Sequence, residues 1–417
     1  MRPTRPLMAH AVGAVAQLLE LSGPADATLS AYFRAHRQLG QRERAFIAEA
    51  AFAVLRRRRS LEAAAGSGLP GALLAAALVR VLGLSGRVIE GLVDEALVSR
   101  IREARSESLP PAVRADLPDW LWDRLAALYG SEEAMRIAQG MLNSAPLDLR
   151  VNLARVGRDE ALSQLAADGI EAAPTPYSPA GIRLAGKPSI NRHPLFLDGL
   201  VEVQDEGSQL LAWLLAPRRG EMVGDYCAGA GGKTLALAML MRGAGRVYAI
   251  DTSGKRLAAL APRAARARIT NVYPIALTGD NDPRGKRLAG KLDRVLVDAP
   301  CSGFGTLRRN PDLKWRHAPQ AIGELAIKQR RILETAARLV KPGGRLLYAT
   351  CSILPDENEA IAEAFHAAHR EFQPLSCSEL LAAQRVALDT GERLRLWPHR
   401  HGTDGFFAAV FERSVSG

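Results

Sequence analysis

From Glu221 to the end of the chain, short apolar runs alternate with stretches whose apolar residues recur at helical spacing. This alternation is typical of a mostly parallel sheet, because parallel strands are joined by crossover helices. We therefore predict a doubly wound α/β domain. Its predicted strands cover 222–226, 246–250 and 272–276, a run ending at Asp298, a run ending at Cys351, and 406–411. Its predicted helices cover 234–241, 255–268, 321–339 and 357–369.

Two of the predicted strands end in residues that can do chemistry. Val295 to Val297 form an apolar run that stops at Asp298, and Pro300 prevents the strand from continuing before Cys301. Residues 344–350 form a second apolar run, and Cys351 follows it. In open α/β sheets the carboxyl ends of the strands are where ligands bind. We expect the two cysteines to face one pocket at this edge.

The first 200 residues have a different pattern. Residues 1–140 show only helical spacing, including predicted helices over 73–81 and 88–101, and they contain no catalytic constellation. The opening twenty residues are predicted to form an amphipathic helix and not a signal peptide, because polar residues interrupt the apolar run. Residues 141–204 show predicted strands at 147–152 and 181–185 around a helix at 158–167. We predict three domains, over 1–140, 141–204 and 205–417.

Composition limits the functional classes. The formal net charge is +11, which fits a polyanionic partner such as nucleic acid but also fits a generally basic proteome. The four cysteines are widely spaced without a C-x-x-C pair, which argues for a reducing cytosol and against a zinc ribbon. No cluster has metal-ligand spacing, and no window approaches the roughly 20 apolar residues of a membrane span. We expect neither a metal nor a membrane.

A glycine-rich turn follows the first strand of the sheet. Residues 225–234 read D-Y-C-A-G-A-G-G-K-T, which ends like a P-loop but has Cys227 where a P-loop opens with glycine. The dinucleotide pattern G-x-G-x-x-G also fails, because Thr234 occupies its last position. The remaining interpretation is a turn for an adenosine-type cofactor, with Asp251 accepting hydrogen bonds from ribose hydroxyls. The alternative is a tight strand–helix turn that binds no ligand.

The two strand-end cysteines and Asp298 suit methylation of a pyrimidine. The C5 atom of a pyrimidine is a poor nucleophile until a thiolate adds to C6, and a carboxyl group near N3 assists that addition. After methyl transfer a base must remove the C5 proton, so that the thiol can leave. Two thiols and one carboxyl group meet these needs. The alternative for a lone cysteine is inert packing, which we assign to Cys377.

Four stretches carry a resemblance to a known family: C-A-G-A-G-G-K-T (227–234), D-A-P-C-S-G-F-G-T-L-R-R-N-P-D-L-K-W (298–315), A-T-C-S-I-L-P-D-E-N (349–358) and D-G-F-F-A-A (404–409). The chain resembles the RNA 5-methylcytosine methyltransferases, and among them the RsmB type that acts on small-subunit ribosomal RNA. The resemblance implies a Rossmann-like methyltransferase domain that uses S-adenosylmethionine. The N-terminal helices are similar to the NusB-like RNA-binding bundle of that type, and L-D-L-R-V-N (147–152) resembles the start of its small α+β subdomain.

The resemblance also implies roles for individual residues. Cys351 would be the nucleophile that forms an adduct with C6, Cys301 would help to release the product, and Asp298 would contact both the base and the cofactor region. Asp251 would hold the ribose, and Asp280 would lie near the adenine. The turn that would line the cofactor site comprises Cys227, Ala228, Gly229, Ala230, Gly231, Gly232 and Lys233. The family has Ala-Pro where this chain has Gly229-Ala230, so we expect a more mobile turn, and the residues after Asp280 are also altered.

Two basic segments have competing interpretations. Arg56 to Arg59 either form a solvated helix end or contact RNA phosphates. Arg308, Arg309, Lys314 and Arg316 surround Trp315, a combination that suits RNA phosphates and a flipped base, or else a charged surface loop.

The sequence as a whole predicts methylation of cytosine C5 in RNA, with 16S ribosomal RNA as the expected substrate. The chain is expected to work as a monomer in the cytoplasm. A non-catalytic RNA-binding or ribosome-assembly factor with a retained methyltransferase fold is a second hypothesis. A DNA cytosine methyltransferase is a third, since that class carries its nucleophile in a Pro-Cys segment such as Pro300-Cys301.

Overall fold

The chain forms two compact units. The computed structural model describes residues 3–89, 91–279 and 282–415. The helical unit comprises Met1–Ser144 together with Thr306–Pro319, and the sheet unit comprises Ala145–Gly305 together with Gln320–Gly417.

The described helices, in chain order, are α1 Arg5–Leu19, α2 Ala25–Ala35, α3 Gln41–Arg56, α4 Arg58–Ala65, α5 Pro70–Arg80, α6 Gly86–Ile89, α7 Glu95–Glu103, α8 Pro111–Arg114, α9 Asp119–Tyr129, α10 Ser131–Leu142, α11 Arg158–Ala167, α12 Pro194–Leu197, α13 Glu206–Leu215, α14 Gly232–Leu240, α15 Gly254–Ala258, α16 Leu260–Arg266, α17 Pro283–Lys286, α18 Leu313–Arg316, α19 Pro319–Ala337, α20 Glu359–Ala368, α21 Cys377–Ala383 and α22 Pro398–His401. The described strands are β1 Leu147–Val151, β2 Ala172–Pro174, β3 Gly181–Leu184, β4 Val201–Val203, β5 Met222–Tyr226, β6 Arg246–Asp251, β7 Val272–Ala276, β8 Leu292–Asp298, β9 Val340–Thr350, β10 Phe372–Leu375, β11 Leu394–Leu396 and β12 Phe406–Arg413.

The helical unit is built around α5. Every residue from Leu73 to Leu78 is fully buried, so this helix is surrounded by its neighbours. Alanines on α1, α3 and α5 allow the helices to approach closely, and leucines fill the space between them. At the start of α1, the Thr4 hydroxyl accepts a hydrogen bond from the Leu7 amide and Pro6 occupies the first turn, which fixes where that helix begins.

Residues 306–319 are part of the helical unit although they lie in the second half of the sequence. Trp315 packs against the helical core, and its indole Nε1 donates to the carbonyl of Leu55 at 2.7 Å. Lys314 Nζ donates to the carbonyl of Arg56 at 2.8 Å, and Asp312 accepts from the Ala25 amide at 3.4 Å. The segment that follows Cys301 in the sequence therefore completes the core of the helical unit.

These contacts show what the two basic segments do within the helical unit. The side chain of Lys314 is buried and the Trp315 indole is held by the Leu55 carbonyl, so both residues serve the helical core. Arg316 is exposed, and contact of this segment with RNA stays a prediction. In the arginine run, Arg56 donates to the carbonyl of Arg308, Arg58 lies over the Trp315 ring, and Arg59 pairs with Asp119. Three of the four arginines thus make internal contacts.

The sheet unit begins with a small antiparallel sheet in the order β2-β3-β1-β4. The predicted strands near 147–152 and 181–185 and the helix over 158–167 are present, whereas the sequence did not indicate β2 and β4, which have three residues each. The inner faces of β1, β3 and β4 pack against α11 through Leu149, Ile182, Val201 and Leu165.

The main sheet has the order β10-β12-β9-β8-β5-β6-β7, with β11 paired to β12. Strands β9, β8, β5, β6 and β7 run parallel, and β12 pairs antiparallel with β9. Val295, Leu296 and Val297 of β8 are fully buried, as a central strand covered on both faces requires. The predicted doubly wound, mostly parallel fold is confirmed, and antiparallel pairing is confined to the β12 side.

Two predicted helices are interrupted. The prediction over 88–101 is wrong as a single helix, because α6 ends at Ile89 and Asp94 caps a new helix, its carboxylate accepting from the Leu97 amide at 3.1 Å. The prediction over 255–268 divides into α15 and α16 just before Pro262, a residue that cannot donate the helical hydrogen bond.

In the described part of the chain, no single helix is both long and apolar enough to span a bilayer. Helices α4 and α5 meet that criterion only when they are taken together, and they are bent by 99° where they join.

The buried Lys314 makes the stability of the helical unit depend on pH. Burial lowers the pKa of Lys314 from its ordinary value of 10.5 to about 7, the Asp116 carboxylate opposes that shift, and Arg56 and Arg57 add to it. Between these two pKa values the unfolded chain binds the proton more strongly than the folded chain. The cost of burying the ammonium is therefore fully present below pH 7 and is relieved as the pH rises toward 10.

We expect the free energy of unfolding of the helical unit to rise by about 2 kcal/mol between pH 7 and pH 9, relative to Lys314→Met. Urea denaturation of both proteins at several pH values, followed by circular dichroism, measures the difference. Parallel pH profiles of the wild type and the variant would contradict this account.

Candidate active site

The carboxyl ends of four parallel strands bring the predicted site residues to one edge of the main sheet. Cys227 follows β5, Asp251 ends β6, Asp298 ends β8 and Cys351 follows β9. The order β9-β8-β5-β6 makes these strands direct neighbours. The sheet thus collects side chains that are far apart in the sequence, as ligand sites in open α/β folds generally do.

The two predicted thiols are adjacent. Cys301 Sγ and Cys351 Sγ lie 3.4 Å apart, and both residues are partly accessible. The hydrogen bond to Cys351 is the largest cause that raises the pKa of Cys301 well above its ordinary value, and burial and the charges of Cys351 and Glu357 add to it. These interactions favour the protonated form of the Cys301 thiol.

Asp298 forms an ion pair that the sequence did not indicate. Its Oδ2 lies 2.7 Å from the Lys233 ammonium, and 28% of its side chain remains exposed. Burial opposes the charge on Lys233, but the Asp298 carboxylate outweighs it and the pKa of Lys233 is raised, with a further contribution from Cys351. Lys233, placed by sequence among the cofactor-lining residues, directs its amine to the carboxylate beside the thiols.

The glycine-rich turn is held by the carboxylate of Asp251. Gly229 donates its amide to Asp251 Oδ2 at 2.8 Å, and Ser253 donates to Oδ1 at 2.7 Å. Gly231 has φ +82°, and a Cβ there would lie 2.2 Å from Leu260 Cδ1, so only glycine fits. The turn therefore packs its backbone against α16 and presents its amide groups at the start of α14.

Two arginines restrain the turn at the place where it departs from the family pattern. Arg263 Nη1 donates to the carbonyl of Ala230 at 2.5 Å, and Arg150 Nη1 donates to the carbonyl of Gly232 at 2.8 Å. Arg150 comes from the small antiparallel sheet and is buried. These side chains fix the turn from outside, although it lacks the proline of the family pattern.

The residues around the turn fit an adenosine-type cofactor. Asp225 Oδ2 accepts from the Thr234 hydroxyl at 2.6 Å, whereas its buried Oδ1 has no hydrogen-bond partner in the described residues. Burial raises the pKa of Asp225 to about 7. Asp251 retains acceptor capacity for hydroxyl groups because each of its oxygens has a second lone pair. A ligand with ribose hydroxyls and a cationic group matches this set of acceptors.

The prediction for Asp280 lies outside the described residues. Its described neighbour Asp282 closes the turn after β7, where its Oδ2 accepts from the Thr278 amide at 2.9 Å.

Sequence reasoning missed a buried carboxylate behind the thiols. Glu357 is fully buried and accepts hydrogen bonds from Ser302, Ser352 and Gln329. One sequence feature could have indicated this carboxylate: a serine directly follows each of the two cysteines, as Ser302 follows Cys301 and Ser352 follows Cys351.

Two glycines allow three loops to meet at the site. Gly305 donates its amide to the carbonyl of Cys351 at 2.8 Å, and Gly405 donates to the carbonyl of Gly305 at 2.8 Å. A Cβ on Gly305 would lie 2.2 Å from the carbonyl oxygen of Gly405. The close approach explains why glycine follows Asp404 in the D-G-F-F stretch and why the loop before β12 reaches the thiol pair.

Among the residues that the structure describes, no group of three or more His, Cys, Asp or Glu side chains is arranged to hold a metal ion.

Comparison with known proteins identifies the family. A family model described as 16S rRNA methyltransferase RsmB/F matches residues 212–412, and one for the ferredoxin-like domain of RsmF/B-like methyltransferases matches residues 117–191. Ribosomal RNA small subunit methyltransferase B of Sodalis glossinidius is 36% identical over 344 residues, which cover 82% of this chain and 76% of that protein. The chain belongs to the RsmB/F family of rRNA methyltransferases.

Other members and solved structures agree with this assignment. A probable ribosomal RNA small subunit methyltransferase B of Synechocystis is 36% identical over 71% of this chain and 67% of its own length. The crystal structure of PH0851 superposes with a TM-score of 0.81 at 26% identity and covers 99% of this chain and 100% of its own. A methyltransferase homologue from Pyrococcus horikoshii gives a TM-score of 0.62 at 30% identity, covering 73% and 97%. The predicted family is therefore confirmed.

Membership of the RsmB/F family establishes the class of reaction. The protein is an RNA methyltransferase, and S-adenosylmethionine is its methyl donor. The acceptors and amide groups of the turn over 227–233, Asp251 and Asp225 fit such a donor, and the assignment of these residues to the cofactor stays a prediction. The three predicted domain bounds stay a prediction, and the ferredoxin-like match begins upstream of residue 141.

Asp251 should be needed for cofactor binding. We expect Asp251→Ala to weaken binding of S-adenosylhomocysteine by about tenfold to a hundredfold, because it removes a charged acceptor and frees the Gly229 amide. Isothermal titration calorimetry measures the change, and Asp356→Ala, on the loop after Cys351, serves as the control. Unchanged affinity in Asp251→Ala would show that the carboxylate does not contact the cofactor.

Proposed function

We propose that this RsmB/F methyltransferase methylates C5 of cytosine in 16S rRNA through a covalent bond between Cys351 and C6, which is resolved with the help of Cys301. The observation that carries the proposal is the pair of sulfur atoms 3.4 Å apart beside the Lys233–Asp298 ion pair. One thiol is needed to activate the ring and another group to complete the reaction, and both are within reach of a single base.

The electrostatics favour Cys351 as the nucleophile. Two thiolates 3.4 Å apart would repel by about 5 kcal/mol at an effective dielectric constant of about 20, so only one of the pair ionises. The raised pKa of Cys301 makes it the protonated partner. The Lys233 ammonium interacts favourably with an ionised Cys351. The attacking thiolate is therefore Cys351, stabilised by a thiol on one side and a cation on the other.

Asp298 and Lys233 act on the opposite side of the base. When the Cys351 sulfur bonds to C6, electron density moves from the C5–C6 double bond into the ring and toward N3. The exposed part of the Asp298 carboxylate accepts from the exocyclic amine of cytosine, and the Lys233 ammonium stabilises the charge that develops. The ion pair also fixes the position of the Asp298 carboxylate.

S-adenosylmethionine supplies an electrophilic methyl group on a sulfonium. After C5 has taken the methyl group, it carries one hydrogen too many. Once Cys351 is a neutral thioether, the interactions with it that raise the pKa of Cys301 are gone. Cys301 then loses its proton to solvent, and its thiolate removes the C5 hydrogen as a proton. The C5–H electron pair re-forms the C5–C6 double bond, and the S–C6 bond breaks with its electron pair leaving on the sulfur of Cys351.

A basic cleft in the helical unit supports an RNA partner. A cavity of about 620 Å³ is lined by Arg57, Arg80, Arg105 and Arg114. Arg80 already donates to main-chain carbonyls of the helical unit, whereas the side chains of Arg105 and Arg114 are exposed. Cations arranged around a concave polar surface suit the phosphates of a folded RNA.

The competing hypotheses explain less. A non-catalytic assembly factor has no need of a thiol pair and an ion pair at one edge of the sheet. A DNA cytosine methyltransferase would use the thiol of the Pro-Cys segment as its nucleophile, but here that thiol is Cys301, which remains protonated.

Loss of the nucleophile should abolish turnover. We expect Cys351→Ala to lower methyl transfer to 16S rRNA by more than about a thousandfold, because no other group reaches C6. Tritium transfer from labelled S-adenosylmethionine measures activity, and bisulfite sequencing of rRNA from a complemented deletion strain locates the product. Cys377→Ala, a buried cysteine of the same unit, is the control. Near-normal turnover by Cys351→Ala would reject the covalent mechanism.

Loss of the second thiol should trap the intermediate instead. We expect Cys301→Ala to accumulate a protein–RNA species that survives a denaturing gel, because the C5 proton is not removed and the S–C6 bond persists. The species should require S-adenosylmethionine and should disappear in the Cys301→Ala, Cys351→Ala double variant. A stable adduct that forms in Cys351→Ala and not in Cys301→Ala would reverse the two roles.

A further inference from the structure

One buried carboxylate connects the loops that carry both thiols. Glu357 Oε1 accepts from the Ser302 amide at 2.8 Å and from Gln329 Nε2 at 3.0 Å. Its Oε2 accepts from the Ser302 hydroxyl at 2.5 Å and from the Ser352 hydroxyl at 2.5 Å. Glu357, Ser302 and Gln329 are fully buried, and Ser352 nearly so. Four hydrogen bonds thus converge on one side chain.

The two serines are the residues immediately after the two thiols. Ser302 follows Cys301 at the exit of β8, and Ser352 follows Cys351 at the exit of β9. Gln329 of α19 also donates to the carbonyl of Pro300 at 3.0 Å, so the loop on the Cys301 side is held at three points. The carbonyl of Glu357 accepts from the Tyr348 hydroxyl at 2.5 Å, which fixes the backbone that carries the carboxylate.

The partners of Glu357 differ from those of two other carboxylates in the sheet unit, Glu221 and Asp148. Glu221 pairs with Arg294 and Asp148 pairs with Arg183, so a cation balances each charge. The four recorded donors to Glu357 are all neutral. A cation compensates a buried charge with little dependence on angle, whereas hydrogen bonds from neutral groups are directional and fix positions. The arrangement therefore favours a role in geometry.

We propose that Glu357 is a positioning residue that sets the spacing and orientation of Cys301 and Cys351 by holding Ser302 and Ser352. The proposal rests on the proposed function, in which both thiols act on one base. None of the four hydrogen bonds that Glu357 accepts comes from a sulfur atom, so it acts through the two serines. Its negative charge also helps to keep Cys301 protonated, as the raised pKa of that thiol shows.

The test uses Glu357→Gln in the full chain. Glutamine has nearly the same shape, and its amide oxygen still accepts from the Ser302 amide and from Gln329. Its NH₂ group cannot accept from the two serine hydroxyls and can only donate to them. The charge-assisted bonds that join the loops are therefore lost while the core stays filled, and the 3.2 Å contact between the Ser302 and Ser352 hydroxyls remains. Glu221→Gln is the matched control, because it removes a largely buried carboxylate that precedes β5 and pairs with Arg294 away from the thiols.

Two readouts report position and not stability. The first is the rate at which diamide oxidises Cys301 and Cys351 to a disulfide, with reduction of diamide to its hydrazine, followed by peptide mass mapping. The second is steady-state methylation of 16S rRNA. We expect Glu357→Gln to slow disulfide formation at least about fivefold and to lower kcat about tenfold to a hundredfold, with KM for S-adenosylmethionine unchanged, because small misplacements of reacting groups are costly.

Each outcome decides the proposal. It is supported if Glu357→Gln shows both losses while Glu221→Gln retains the wild-type disulfide rate and kcat. It is overturned if the disulfide rate of Glu357→Gln equals that of the wild type, or if both variants lose rate equally, which would indicate general destabilisation. The disulfide rate requires no methyl transfer. A wild type that makes no 5-methylcytosine would therefore refute the proposed function and leave the positioning role separately measured.

Discussion

The parallel pairing of β8 with β9 is the constraint on which the site depends. Asp298 pairs with Ala349 in the register of these strands, and the Ala299 amide donates to the carbonyl of Ala349 beyond the last pair. Cys301 and Cys351 leave the sheet from this point. Because side chains alternate between the faces of a sheet, a shift of one residue would turn Asp298 to the other face and separate it from Lys233.

Charge distribution within the site follows from this close packing. Two thiols, a carboxylate and an ammonium lie close to one another, and the pKa values of Cys301 and Lys233 are both raised by these neighbours. The repulsion between two thiolates at this distance exceeds what most single interactions contribute, so the two thiols do not ionise together. In the proposed mechanism this coupling disappears when Cys351 bonds to the substrate. The pKa of Cys301 then falls, at the step where Cys301 has to remove the C5 proton.

In each unit, a local segment is stabilised by residues that lie far from it in the sequence. The helical unit gains a tryptophan and a buried lysine from residues 306–319, and Lys314 remains there at a cost because its amine is desolvated. In the sheet unit, the glycine-rich turn has lost the proline of the family pattern, and Arg150 and Arg263 donate to its carbonyls. Trp315 thus completes the packing of the helical core, and the two arginines restrain a turn that has no proline.

The sequence by itself determined the class of fold, the family and the residues at the strand ends, because apolar runs, their length and the motifs around Cys301 and Cys351 are local signals. Asp280 lies outside the described residues, and the roles of the remaining site residues stay predictions. Only the tertiary structure decided that Lys314 is buried, that Trp315 packs on the helical core, that Lys233 pairs with Asp298, and that Glu357 joins the two thiol loops. These contacts link residues far apart along the chain, so they cannot be predicted from local periodicity or spacing. They form only when the strands have paired in their register.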